Sequence, residues 1–271
     1  MVSPFVAAAV CEALCAAADR GAPGARAGVQ ELGRYLRAVR EADGSWCFEP
    51  VGRPCPPDAD TTSCALAALA RAGEAGREPI LSRIVDVQPS EDGLIRPWLL
   101  WYAGAGERLD GNIADAIVTS NVLLAGARLG ADVSSVQAAL EDHVRVRGLR
   151  GVATVYYDSL AVRTYYLARA LSPVAIDGPT AQALRRFLSD LGSDDLNIVE
   201  VAAAVAAGAL LGAAAPVGDL VPHLLASQER DGSWPAARWF GDIRGTAWRS
   251  AAFSTALAVE ALTLVEGRTL T

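Results

Sequence analysis

Stretches that are apolar on nearly every side alternate along this chain with stretches that are apolar on one side only. The first kind covers about Pro4–Ala18, Asp60–Arg71, Asn112–Leu129, Tyr156–Leu171, Asp195–Ala213 and Trp248–Val265. The second covers about Ala25–Glu41, Pro79–Val87, Asp132–Val146, Thr180–Leu191 and Val217–Gln228. In the second kind Val133, Val136, Leu140 and Val144 recur at helical spacing, as do Leu184, Phe187, Leu188 and Leu191. Almost everything reads as helix and little as strand. Turns leading into the apolar helices fall near Asp43, Asp92, Gly148, Asp190 and Asp231, a period of roughly 40–50 residues with two helices each. A helix apolar all round is surrounded by other helices. The pattern predicts one all-α domain over residues 1–271, an α/α toroid of about six inner and five to six outer helices. An open helical solenoid is the alternative, and it suits the inner helices less well.

The turns repeat in sequence as well as in spacing. Tyr35 to Trp46 aligns in register with His223 to Trp234, and both end in Asp-Gly-Ser-Trp. Glycine supplies the turn and tryptophan packs back over the helix ends. Gln88, Asp92 and Gly93 form a degenerate third copy.

Composition narrows the chemistry. At 52% hydrophobic and 20% charged, 271 residues bury a sizeable core. A net charge of −7 argues against a nucleic-acid partner. The chain has no Lys, which excludes Schiff-base, Ser-Lys and P-loop chemistry. Five Cys without disulfide-like spacing point to a reducing, cytoplasmic compartment. The start lacks a basic n-region, and Val201–Val217 is short for a membrane span.

The candidate chemistry centres on Pro56 to Leu66, where Asp58 and Asp60 stand two residues apart at the head of an apolar helix. The bland reading is an N-cap favoured by the helix dipole. The sharper one is that two buried carboxylates resist double ionisation, so one keeps its proton and serves as a Brønsted acid. If the inner helices run the same way, their N-terminal rim gathers Asp58, Asp60, Asp110, Asn112, Asp115, Tyr156, Tyr157, Asp158, Asp194, Asp195, Asn197, Trp239, Phe240, Asp242, Arg244 and Trp248. Trp98, Trp101 and Tyr102 lie in a long loop, Gln88–Gly111, placed to act as a lid. A proton source beside π faces suits a carbocation reaction, although aspartates at helix starts are ordinary caps and loop aromatics often plug cores. Within the inner helices Asn121, Arg163, Tyr165, Tyr166 and Glu200 are polar where polarity is costly. Arg163 and the tyrosines fit a pocket wall or a satisfied network equally well. Glu200 reads as a second carboxylate or as the partner of an inward Arg. His143 and His223 read as structural, and no metal site is expected.

These features resemble the squalene-hopene and oxidosqualene cyclases and the class II diterpene cyclases. The Asp-Gly-Ser-Trp turns are similar to that family's Q-W motifs, and Asp58-Ala59-Asp60-Thr61-Thr62 is similar to its D-x-D-D-T-[AS] acid motif. The resemblance implies that Asp60 is the acid and Asp58 its helper. Thr61 stands where the family has a third Asp, and bacterial members usually have two such domains where this chain has room for one. The implied activity is a redox-neutral cyclisation or isomerisation of an apolar isoprenoid by an isomerase or lyase. Substrate contacts would come from Trp98, Trp101, Asp115, Tyr156, Tyr157, Arg163, Glu200, Trp239 and Trp248. The implied partner is a small hydrophobic substrate; a transient membrane association or a partner chain is left open, as is the oligomeric state. No cofactor is expected, with Mg2+ entering only for a diphosphate substrate. The rival readings are a carbohydrate-active toroid with paired carboxylates and a non-catalytic toroid that binds a hydrophobic ligand or a partner chain.

Overall fold

The computed structural model describes residues 2–49, 55–74, 76, 78–102, 112–174, 178–191, 195–213, 215–241 and 246–269. Eleven α-helices and two short strands are found among them. The inner helices are α1 (Pro4–Asp19), α3 (Ala59–Arg71), α5 (Ala116–Leu129), α7 (Leu160–Leu171), α9 (Ile198–Leu211) and α11 (Ala251–Thr269). Each packs against the next, and α11 packs back onto α1, so the ring is closed. Helices α2 (Ala25–Ala38), α4 (Pro79–Val87), α6 (Ser134–Arg147), α8 (Pro179–Ser189) and α10 (Ala215–Ala226) form the outer layer. The all-α toroid predicted from the alternation is the fold found.

Local signals set the ends. Pro4 opens α1, where its missing N–H costs nothing. Asp58 caps α3 and Asp115 caps α5. Asn197 and Glu200 close a capping box on α9. Helices α5 and α9 both end on a left-handed glycine, Gly130 and Gly212.

The recurrent turns tie the layers together in one geometry. Trp46 Nε1 donates to Leu36 O at 2.7 Å, and its backbone N–H donates to Thr62 Oγ1 in α3 at 3.0 Å. Trp234 repeats this on Leu224 O (2.8 Å) and Thr255 Oγ1 (3.0 Å) in α11. In the third copy Ile95 N–H donates to Thr119 Oγ1 in α5 at 2.9 Å, so Ile95 occupies the tryptophan position. Each turn thus clamps an outer helix to the first turn of the next inner helix. Trp234→Phe keeps the packing but removes the stronger bond to Leu224 O, which is left with the Ser227 N–H at 3.3 Å. It is expected to lose about 1–2 kcal/mol in a denaturant titration; an unchanged midpoint would show that the bond contributes nothing.

Three expectations about elements are corrected. Helix α5 begins at Ala116, not near Asn112, because Asn112 adopts a left-handed backbone (φ 54°) and its side-chain amide pairs with both Trp98 N and Trp98 O at 2.8 Å. Tyr156 and Tyr157 precede α7, which Ser159 caps. Trp248 lies on a strand: β1 (Arg238–Gly241) pairs antiparallel with β2 (Ala247–Arg249), Phe240 opposite Trp248.

Candidate active site

The inner helices run in one direction. At one end Phe5 of α1 stacks on Phe253 of α11, and Asp60 in the first turn of α3 meets Asn121 of α5. Toward the other end Arg71 of α3 and Arg128 of α5 both pair with the buried Glu12 of α1. The rim expected to gather carboxylates therefore exists.

At that rim the two aspartates do different things. Asp58 is the helix cap: Oδ1 accepts the Thr61 N–H at 2.6 Å. Its Oδ2 and the neighbouring Thr61 Oγ1 are buried without a hydrogen-bond partner. Asp60 points to the inside of the ring, only 7% exposed. Its Oδ2 accepts the Tyr157 O–H at 2.6 Å and its Oδ1 accepts Asn121 Nδ2 at 2.7 Å. Asn121 Oδ1 in turn accepts Arg169 Nη2 at 3.0 Å, and Tyr165 O–H, beside the same guanidinium, donates to Glu260 Oε2 at 2.8 Å.

Burial, reinforced by the charge of Asp60, pushes the Asp58 carboxyl up to about 7. Burial also raises Asp60, to about 6, against the lowering effect of its bonds from Tyr157 and Asn121. Both folded values lie above the unfolded value, so the native state binds more protons than the unfolded chain between about pH 4 and 7. The associated stability is present in full below about pH 4 and is lost as pH rises through 6–7. Asp58→Asn and Asp60→Asn should therefore be more stable than the wild type at pH 8, by about 3–4 kcal/mol, and lose that advantage near pH 4. Thermal melts at the two pH values check this, and an advantage that grows toward acid would have the wrong sign.

Aromatic rings continue inward from Asp60. Tyr157 meets Tyr166 edge-on at 5.0 Å and Phe240 at 5.6 Å. Phe240 lies flat on Tyr156 at 5.3 Å and continues to Phe48, Trp239 and Trp248. Trp239 stacks on Phe253 at 4.2 Å, and its Nε1 is buried without a partner. A buried carboxyl thus sits at one edge of a cluster of aromatic rings.

The other sequence-predicted residues divide. Asp115 accepts Ile117 and Val118 N–H with Oδ1, and Thr154 O–H and Val155 N–H with Oδ2. It thereby holds the loop that carries Tyr157. Burial raises its pKa and those four donors oppose the rise. Arg163 Nε donates to Tyr157 O at 2.5 Å, a second brace on the same loop. Trp98 pairs through its backbone with Asp58. Trp101 stands apart: its Nε1 donates to Asp43 Oδ2 at 2.9 Å and Arg83 covers its ring, so it belongs to an outer turn. Glu200 receives the Asn197 N–H at 2.8 Å as half of the capping box.

The described part of the expected lid, Gln88 to Tyr102, is fastened rather than free. The Gln88 side chain bonds Arg96 O, Trp98 O and Leu100 N. Residues 103–111 lie outside the described residues, as do Asp110, Asp194, Asp242 and Arg244 of the expected rim. His143 is less isolated than its sequence position implies, because its Nε2 accepts Ala153 N–H at 3.0 Å in the loop leading to Tyr157. Among the described residues no group of three or more His, Cys, Asp or Glu is placed to hold a metal ion, and no helix is long and apolar enough to cross a membrane.

The sequence reading did not single out Glu12, Arg169, Glu260, Phe5, Phe48 or Phe253. One signal was available: Arg71, Arg128 and Arg169 each fall in the last turn of an inner helix. That position ordinarily marks a surface cation facing the helix dipole. In helices apolar on every side it marks a half-buried one at Arg71 and Arg128 and a buried one at Arg169.

No known family and no curated protein matches the sequence. Solved structures do match the fold. A protein from Actinoplanes superposes with a TM-score of 0.77 at 20% identity, over 97% of this chain and 90% of that one. The type II terpene cyclase MstE from Scytonema superposes at 0.72 with 17% identity, over 99% of this chain and 88% of that one. An arginine-to-alanine variant of MstE in complex with its substrate, geranylgeranyl dihydroxybenzoate, gives 0.72 and 17%, over 97% and 88%. At these identities the likeness establishes a terpene-cyclase-like fold.

Proposed function

We propose that this chain is a class II terpene-cyclase-like enzyme that uses Asp60 to protonate an apolar isoprenoid. One observation carries the reading: a buried carboxyl whose pKa is raised to about 6 stands beside the aromatic sheet of Tyr157, Tyr166 and Phe240. A site intended only to stabilise the fold gains little from a carboxyl buried in an apolar wall, even one with both oxygens hydrogen-bonded.

In this mechanism the Asp60 proton adds to a terminal alkene carbon or an epoxide oxygen, leaving a tertiary carbocation. Internal double bonds attack it in turn, the ring faces stabilise the moving charge, and loss of a different proton from carbon restores neutrality. The net change is an isomerisation with no redox partner. Asp58 is the neighbouring buried acid, and burial together with the charge of Asp60 keeps it protonated after Asp60 has given up its own proton.

The substrate is an isoprenoid that is uncharged or carries a single carboxylate. Arg163 is engaged with Tyr157 O, and Arg96 with the carbonyls of Gln88 and Pro89, so the mouth offers no described cluster of cations for a diphosphate. A prenylated aromatic acid of the kind that MstE binds belongs to this class. The carbohydrate reading loses its second carboxylate and a platform, since Glu200 serves a helix cap and Trp101 an outer turn.

The test is to incubate the purified protein in D2O with polyprenyl alcohols, their epoxides, prenylated hydroxybenzoates and prenyl diphosphates. A cyclised product is expected from the wild type, with one solvent deuterium fixed on carbon when an alkene is protonated and none on carbon when an epoxide is. An alkene-derived product without deuterium, or no cyclised product from any member of the panel, sinks the proposal.

A further inference from the structure

Arg169 is a full positive charge in the interior, and its hydrogen-bond acceptors are neutral: Asn121 Oδ1 at 3.0 Å and Tyr165 Oη at 3.4 Å. Its Nε is buried without a partner, and its guanidinium lies 5.2 Å from the ring centre of Tyr166 and 5.5 Å from that of Tyr165. Glu12 and Glu260 balance its charge only through space, and a buried charge without a carboxylate hydrogen bond is expensive for a fold. An apolar side chain of similar volume is often as stable or more stable in a buried charged position. Its geometry has a direct consequence for the amide it touches. Asn121 has one carbonyl and one amino group, and turning it over would exchange them. Arg169 can only donate, so it holds the carbonyl toward itself and the amino group toward Asp60 Oδ1.

We propose that Arg169 is a positioning residue for Asp60, acting through Asn121. By locking the amide as a donor it reserves Oδ1 as an acceptor. The acidic proton then resides on Oδ2, opposite a hydroxyl that can donate or accept. Glu260 and Tyr165 hold the far side of the guanidinium region, so the chain of contacts crosses from α11 through α7 and α5 to α3. The role deepens the reading of Asp60 as the acid and rests on it. The positive charge also lowers the Asp60 pKa, setting it against burial.

The test needs no substrate. Protein labelled with 13C at aspartate carboxyls is titrated by isotope-edited infrared spectroscopy, and the Asp60 band is identified as the one lost in Asp60→Asn. In Arg169→Met and in Arg169→Gln the Asp60 midpoint is expected to rise, by about one pH unit for Met. The rise for Gln should be smaller, because its amide can still donate to Asn121. A merely structural Arg169 would lower the melting temperature and leave the Asp60 midpoint where it was, and that result overturns the proposal. Failure of both variants to fold would also overturn it, by assigning the residue to support of the ring. If the midpoint moves but the wild type cyclises nothing in the isoprenoid panel, the positioning role stands and the cyclase reading falls.

Discussion

Asp60→Asn should leave a folded protein whose turnover is lower by roughly two or more orders of magnitude. The amide is nearly isosteric: its oxygen can accept from Asn121 and its amino group can donate to Tyr157, so both contacts of the native carboxyl have a substitute. What disappears is the transferable proton. The structure removes the competing explanation, since the cap of α3 is Asp58, which Asn replaces almost without loss. Asp58→Asn should accordingly be the milder change. In the wild type, turnover should be highest below about pH 6 and fall as the pH rises and Asp60 gives up its proton. Steady-state rates of the three proteins from pH 5 to 9 decide the matter. Full activity in Asp60→Asn would remove the acid from the mechanism and leave a ligand-binding toroid as the better account.

Glu12→Ala should cost about 4–5 kcal/mol and leave the chain partly unfolded at 37 °C. Glu12 is 2% exposed and takes one arginine on each carboxylate oxygen, Arg128 on Oε1 and Arg71 on Oε2. Removing it leaves Arg71 with the exposed Asp19, Arg128 with the Ala67 carbonyl, and the buried Arg169 short of one carboxylate that balances its charge, which costs more than the pairs themselves contribute. Burial would raise its pKa, but Arg128, Arg169 and Arg71 outweigh burial and hold it down to about 2. Its folded value lies below its unfolded one. The stability it contributes is therefore present above about pH 4.5 and is lost as the pH falls toward 2, by about 3 kcal/mol. Glu12→Gln should flatten that acid limb in melts between pH 2 and 6. An unchanged limb, or Glu12→Ala with an unaltered melting temperature, would show that the cluster contributes no stability.

The ring was legible because its signal is summed over long segments. Helices apolar all round can only be inner, one-sided ones can only be outer, and Asp-Gly-Ser-Trp marks where one gives way to the other. Asp60 was legible for a local reason, a second carboxylate two residues from a cap. The partners of Asp60 were less so. Tyr157 and Asn121 lie 97 and 61 residues away, and nothing in a single sequence couples such positions. Glu200 was read toward the site as a polar group within an inner helix and Trp101 as an aromatic in a long loop, and each kind of residue has two uses. The capping box and the Asp43 bond show which use was made. Strands β1 and β2 escaped because Arg238–Gly241 and Ala247–Arg249 are too short to carry a period.

The contact between α1 and α11 joins the earliest inner helix to the latest. A toroid assembled from neighbouring pairs could grow one repeat at a time, but its last interface spans nearly the whole chain. The entropy of that closure is borne only at the end, which makes it a slow, late event in folding. Glu260 of α11 anchors the chain of contacts behind Asp60, and Phe253 of the same helix completes the stack on Phe5 and Trp239. On the ribosome, α3 emerges early with its carboxyls and has no finished environment for them until α11 arrives. Closure of the ring thus adds the outermost support, Glu260 behind Tyr165, to a carboxyl whose direct partners Asn121 and Tyr157 belong to α5 and to the loop before α7.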